Sequence, residues 1–451
     1  MRKKEVNMLS GPIAKGLLEI ALPIMVMNVL QSLFNVIDMT TLKSFGSNTY
    51  AVGAVGACGP LFTLIIGLLS GVSSGANVLV AKCIGKGKTE MVDRAIGTAI
   101  AVAIAGGLLL LVIGVTFAEV FLRWTNCPNE LIHHATLYFR LYFVGVPISM
   151  VYSFCASILR SSGDSKRPMV FSTLAGVVKI VLTFAFVAYF KLGVEGVAFA
   201  TIISWTVSAV LGIRALLNNE DAVRLKLNRI RFYKEELGDI LYVGIPTGLQ
   251  PALYSIANVI ITATVNSFGP EATTGISIAG NFDGILYQIS VAPSLAVMSY
   301  VSQNVGIGNI KRARQAVSRG IFITIGLGAT FGMLSAVFSA QLSSIMSSDP
   351  TVIAYSQQKM IIISSTYFIC GINEIMGAAL KGMGKPIIPT LSTLIFMCAI
   401  RFVWVYLIFP LCPNLTFLYL IWPIGWILGL TMQTIFYFPT AKKLVALCAS
   451  E

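Results

Sequence analysis

The chain has 451 residues, of which 56% are apolar and only 11% charged, and its mean hydropathy is +0.82. That leaves too little polar surface to clothe a water-soluble fold of this length. The formal charge of +13 gathers in short loops between apolar runs, which makes it a topology signal and excludes a nucleic-acid face.

Lipid cannot hydrogen-bond free backbone groups, so apolar runs of about 20 residues must be helices. Twelve follow one another, at 17–42, 51–81, 95–117, 137–159, 169–191, 193–217, 237–265, 275–305, 316–345, 357–380, 387–411 and 415–440. Runs longer than about 25 residues imply tilt, kinks, or ends beyond the hydrocarbon. With the N-terminus inside, the segments ending at Lys15 and running Lys82–Arg94, Arg160–Arg167, Arg214–Lys234, Lys311–Arg319, Lys381–Lys385 and Lys442–Lys443 carry most of the 32 Lys and Arg. Lys43, Arg123, Arg140, Lys191 and Lys359 then fall outside. The positive-inside rule therefore predicts a multi-pass protein of the cell membrane with both termini cytoplasmic. Met1-Arg2-Lys3-Lys4 and the run after it read as a retained first span, because the run is too long for a signal peptide.

The chain is also a duplication. Pro23 falls on Pro246 and Gly46 on Gly269, a constant shift of 223 residues, with Ser32 and Asn35 on Ser255 and Asn258. Leu159-Arg160 with Gly163 and Pro168 recurs as Leu380-Lys381 with Gly384 and Pro389. Many transporters are built from such repeats. The expected organisation is a lobe at 1–217, a charged cytoplasmic linker at 218–236 with a solvated face, and a second lobe at 237–451.

Several chemistries are excluded by spacing. Gly85-Lys86-Gly87-Lys88-Thr89 lacks the earlier glycine of a phosphate loop, since Lys82 stands there and no strand precedes it. ATP hydrolysis is out, and an ion gradient is the expected energy source. His133 and His134 read as surface residues at a span entrance, with no H-E-x-x-H and no acid cluster. The eight cysteines have no C-x-x-C and lie mostly within spans, as free apolar fillers and not as zinc ligands or a disulfide framework. No cofactor or metal is expected, and hydrolase signatures are absent.

Ionisable residues inside spans are expensive and mark function by default. They are Asp38, Lys179, Asp283, Glu374 and Arg401. Asp38 stands out because its repeat counterpart is Ile261, so nothing in the duplication requires it. Lys179 is too deep to reach the interface and should pair inside the protein. Arg401, near the equivalent place on span 11, is expected to serve Asp283 or Glu374. Glu19 and Asp239 sit at helix starts, where an acid is favourable without any further role. Pro23 and Pro246 weaken spans 1 and 7 at matched positions.

Pro23 followed by Asn35-Val36-Ile37-Asp38, Ala51-Val52-Gly53-Ala54, Ser74-Gly75-Ala76-Asn77 before Gly85-Lys86-Gly87, Leu159-Arg160-Ser161-Ser162-Gly163-Asp164, Gly193-Val194-Glu195-Gly196, Gly244-Ile245-Pro246-Thr247-Gly248-Leu249-Gln250 and Leu380-Lys381-Gly382-Met383-Gly384 occur in this order. In this combination the chain resembles the bacterial multidrug and toxic compound extrusion (MATE) transporters over essentially its whole length. The resemblance implies an all-α integral membrane protein of twelve transmembrane helices in two pseudo-symmetric six-helix lobes around a central cavity. It implies an antiporter, not an enzyme, that works as a monomer and exports amphipathic, cationic organic compounds in exchange for H⁺ or, second, Na⁺. In the family the acid at Asp38 is linked to the coupling ion. An Asn and an Asp four residues apart often stand on span 5, where this chain has Lys179 and Thr183. That departure puts Lys179 at the cation position and shifts coupling toward H⁺ or toward Asp283 and Glu374. Gln31, Asn35, Asn258, Asn281 and Arg401 are the expected cavity residues.

Two alternatives belong beside this reading. A flippase for lipid-linked oligosaccharides, from the same superfamily, would need a cationic cavity. A major-facilitator carrier would place a glycine four residues before an aspartate, whereas Gly87 stands six before Asp93.

Overall fold

The computed structural model describes residues 6–45, 51–125, 127–219 and 223–450. Among them there is no strand, as backbone satisfaction in lipid requires. The helices are α1 (Ile13–Phe45), α2 (Ala51–Gly85), α3 (Thr89–Trp124), α4 (Asn129–Ser161), α5 (Lys166–Phe184), α6 (Val194–Leu217), α7 (Lys234–Asn266), α8 (Pro270–Gly306), α9 (Ile310–Val337) and the short α10 (Ser339–Ser344). Then come α11 (Pro350–Ser365), α12 (Tyr367–Gly382), α13 (Ile387–Leu411, with two π-helical stretches) and α14 (Leu415–Leu447). Eleven helices are long and apolar enough to cross a membrane by themselves, and α11 with α12 forms a twelfth crossing, bent by 45°. The sequence reading took this crossing as one run at 357–380. The break falls at Thr366, whose hydroxyl bonds back to the Ile362 and Ile363 carbonyls and so competes with the helix ladder.

Compactness divides the chain into two units, one gathering Val26–Gly248 and the other Asn7–Met25 with Leu249–Glu451. Helices α1 and α7 are thus each shared between units, two residues past Pro23 and past Pro246. Local packing accounts for this. Arg312 donates through Nε to the Met8 carbonyl at 2.9 Å and through Nη2 to those of Ser10 and Gly11 at 2.7 and 3.0 Å. The segment before α1 is thereby tied to the start of α9. The opening of α7 belongs instead with α2, because Gly75 lets the Ile240 carbonyl approach where a side chain would stand.

The charged linker is docked and not solvated on all sides, which corrects the sequence reading. Val223 and Leu225 are buried, Lys226 pairs with Asp93 of α3 at 2.6 Å, and the Arg229 carbonyl lies against Gly97. The linker is therefore part of the first unit. Residues 220–222, with their two acids, lie outside the described residues.

In the first unit α4 packs against α2, α3 and α6. The hydrophobic effect does not join helices in lipid, so close fit must do so. Phe62 of α2 stacks on Tyr142 of α4 at 3.8 Å between centroids. Helix α3 meets α4 at two small residues one heptad apart. A Cβ on Gly107 would lie 2.6 Å from Pro147, and one on Gly114 only 1.7 Å from the Phe143 ring. In the second unit α8 is central, packed on α9, α11 and α12. The seven described cysteines are free thiols, Cys127 and Cys412 included, and the side chain of Cys448 lies outside the described residues.

Gly114→Val should overpack this contact and lower the melting temperature of the purified protein, for a cost of about 1–3 kcal/mol or more. Gly326→Val on α9, where a Cβ meets nothing within 4 Å, is the control. Equal melting of the two variants would show that the α3–α4 approach is not tight.

Candidate functional site

Lys179 and Thr183 are four residues apart on α5 and so share one face. That face meets α1 because Gly176, three residues earlier, has no side chain where the Phe34 ring sits; a Cβ there would be 1.8 Å from it. Lys179 Nζ lies 2.5 Å from Asp38 Oδ2, and Thr183 Oγ1 donates to Asp38 Oδ1 at 3.2 Å. Both carboxylate oxygens are therefore engaged, and Asp38 is only 6% exposed. A negative charge buried here is compensated within the unit, by the ammonium that the sequence placed opposite it.

The second unit carries a pair of the same kind from different helices. Lys359 Nζ of α11 lies 2.8 Å from Asp283 Oδ2 of α8. This overturns two expectations. Lys359 is not an outer-loop cation but a buried residue, 6% exposed, and Arg401 does not serve Asp283. The signal was present in the sequence, because Val352, Ser356, Lys359, Met360 and Ile363 recur at helical spacing and are all buried. Starting the span at 357 hid it. Tyr367 donates its hydroxyl to the Asp283 backbone carbonyl at 3.1 Å, while Asp283 Oδ1 is buried and has no hydrogen-bond partner among the described residues.

Arg401 of α13 is 2% exposed. Its Nη1 donates to Asn258 Oδ1 of α7 at 2.5 Å, and its guanidinium lies over the Trp422 ring at 4.9 Å. Lys359 approaches the same indole at 5.9 Å. Glu374 of α12 is half-buried. It lies within Coulombic reach of Lys381, Tyr254, Tyr287 and Cys370, but no hydrogen bond or ion pair engages its carboxylate among the described residues. It does not pair with Arg401 either.

The remaining expected positions are more peripheral. Gln31 is exposed. Asn281 is exposed too and spends its amide on the Ser277 carbonyl at 3.1 Å. Asn258 is engaged by Arg401, and the side chain of Asn35 lies outside the described residues. A contact that sequence reasoning missed joins two of its own motifs: Lys381 Nζ donates to Gln250 Oε1 at 2.9 Å, and Gln250 in turn donates to Thr390 at 3.2 Å. Among the described residues no three of His, Cys, Asp and Glu gather as metal ligands would.

The MatE family profile matches the chain twice, over residues 23–185 and 246–407, at the register of the duplication. The chain is 27% identical to the probable multidrug resistance protein YoeA of Bacillus subtilis over 82% of each chain. It is 26% identical to the probable multidrug resistance protein NorM of Thermotoga maritima over 86% of this chain and 84% of that one. A solved structure, described as the outward-facing conformation of a multidrug resistance MATE family transporter, superposes with a TM-score of 0.89 at 20% identity, covering 98% of this chain and 99% of that one. Two family matches that together span more than half of the chain, on twelve crossings with charges held inside them, lead to one conclusion: the chain belongs to the MatE family of multidrug and toxic compound extrusion transporters.

Proposed function

We propose that the chain is an antiporter of the cell membrane, both termini cytoplasmic, that works as a monomer and exports amphipathic organic cations while protons move inward. The observation that carries this reading is Glu374, the mid-span acid with no ion-pair or hydrogen-bond partner among the described residues. A carboxylate in hydrocarbon needs a positive companion or a proton. Asp38 and Asp283 have ammonium groups built in, at 2.5 and 2.8 Å. A sodium ion at either would have to displace a lysine. Glu374 has no ion pair of this kind: Lys381, two turns on along α12, lies within Coulombic reach of it but gives its hydrogen bond to Gln250, so a proton and the cationic end of a substrate can compete for the carboxylate.

That competition is the coupling. If the proton and the substrate favour opposite conformations, binding one weakens the other by the same factor, and the reciprocity is obligatory. Each elementary charge moving inward supplies about 2.3 kcal/mol per 100 mV. Tyr254 and Tyr287 lie within Coulombic reach of the carboxylate, pack on the cluster that holds Cys370, one turn before it on α12, and offer rings to an amphipathic cation. Asp38, Lys179 and Thr183 then take the place of a sodium site and leave that buried cluster without net charge. A flippase gripping phosphates is less well served, because Lys179 and Lys359 are already held by carboxylates and Arg401 is left as a single deep guanidinium without one among the described residues.

In proteoliposomes with an imposed pH gradient, Glu374→Gln should lower efflux of a cationic dye at least tenfold while insertion stays intact. Dye binding to the wild type should tighten as pH rises and the proton leaves, and Glu374→Gln should bind independently of pH. Undiminished efflux in the variant would remove Glu374 from the mechanism. An imposed sodium gradient alone should drive nothing; sodium-driven efflux would transfer coupling to another site.

Removing one partner of a buried ion pair costs about 3–5 kcal/mol, because the other charge is stranded. Asp38→Asn should therefore destabilise the protein as well as impair transport, and adding Lys179→Gln should restore much of the stability. A double-mutant cycle measures this directly. Additive losses would mean that the pair contributes nothing.

A further inference from the structure

Helices α5 and α6 leave a groove between them at the end that carries the basic loops. It encloses about 300 Å³ and is lined by Arg167 and Phe171 of α5, by Leu211, Arg214 and Ala215 of α6, and by Asn218 just beyond. That is the lower end of the range for small-molecule sites, about 300–1,000 Å³, so it takes a headgroup and not a whole lipid. Ser204 of α6 donates to the Ala175 carbonyl of α5 at 2.8 Å, which joins the two helices beyond the groove. Two of the six lining residues are cations and none is an acid. Asp164 accepts from the amides of Lys166 and Arg167 at 3.1 Å each and from Arg167 Nε, so one carboxylate caps α5 and steadies that guanidinium. Arg214 is exposed and has no hydrogen bond or ion pair among the described residues. Glu220 and Asp221, which follow the groove in sequence, lie outside the described residues.

Both arginines also end apolar stripes that face outward. On α6, Phe199, Ile203 and Val210 are exposed and recur at helical spacing up to Arg214, and on α5 Arg167 and Phe171 lead to the exposed Leu174. In a membrane chain such stripes meet acyl chains. We infer that the groove is a site for an anionic phospholipid, whose phosphodiester docks on Arg214 beside Arg167 and whose acyl chain runs along the α6 stripe. Basic pockets between transmembrane helices suit phospholipid headgroups, and on the proposed orientation this one opens to the cytoplasmic leaflet, where anionic lipids set the surface potential. A soluble phosphate would use the arginines and leave the stripe idle. A zwitterionic lipid brings its own ammonium to a groove that already holds two cations. The site lies within the first unit and uses none of Asp38, Lys179 or Glu374, so it stands apart from the coupling reading.

Native mass spectrometry of the full-length protein in detergent tests this by counting lipids retained per chain. The wild type should keep one phosphatidylglycerol at least fivefold more tightly than phosphatidylcholine of the same acyl chains. Arg214→Gln should remove most of that preference. Ala215→Glu, which leaves the arginines and adds a negative charge to the groove, should do the same. Lys86→Gln, the same charge change at an exposed position of the α2–α3 turn, should alter it less than twofold. Equal retention of the two lipids overturns the inference, as does a preference that survives Arg214→Gln and Ala215→Glu. An equal loss in Lys86→Gln would reduce the effect to general surface charge and overturn it too. Competition by glycerol phosphate as strong as by the intact lipid would assign the groove to a soluble phosphate instead.

Discussion

A carboxylate carried into hydrocarbon must be neutralised by something, and what neutralises it decides what it can do. Each unit of this chain answers once with a lysine. Asp38 is held by Lys179, with Thr183 completing the shell, and Asp283 is held by Lys359. An acid with a permanent ammonium beside it has no need of an external cation. Glu374 has no ion pair among the described residues and only Lys381 as a cation within Coulombic reach. The proposed function rests on this difference between Glu374 and the two paired aspartates.

The duplication explains the scaffold and not the charges. One family profile matches both halves, and matched prolines precede matched crossings of α1 and α7 between units. The position of Asp38 is nevertheless taken in the second half by Ile261, which is buried in an apolar cluster with Trp404 and Phe409. The second pair joins α8 to α11, whereas the first joins α1 to α5. Glycines and prolines that serve backbone packing recur at matched places, whereas the charged pairs do not.

What was legible in the sequence follows the strength of each physical signal. Twelve crossings could be counted because a bilayer tolerates nothing else, and an internal partner for Lys179 followed from a lysine too deep to reach water, while its placement at the cation position beside Asp38 came from the family resemblance. The interruption at Thr366 was invisible, since hydropathy does not register a hydroxyl bonding back to the main chain. Lys359 was misplaced because it stood two residues inside a span boundary drawn by hydropathy, although its helical spacing with Ser356 and Ile363 marked a buried face. The linker misled for the opposite reason. Its charges suggested solvent, but two of its apolar residues, Val223 and Leu225, are buried and dock it.

Infrared difference spectroscopy on isotopically labelled protein tests the central claim most directly, because a protonated carboxyl in an apolar site gives a carbonyl band that a carboxylate lacks. Lowering the pH should raise one such band from labelled glutamate, addition of a transported cation at the same pH should remove it, and Glu374→Gln should lack it altogether, with labelled aspartate silent throughout. A band that instead follows labelled aspartate and vanishes in Asp38→Asn would contradict the account, because the proton would then sit on the carboxylate that Lys179 was supposed to occupy.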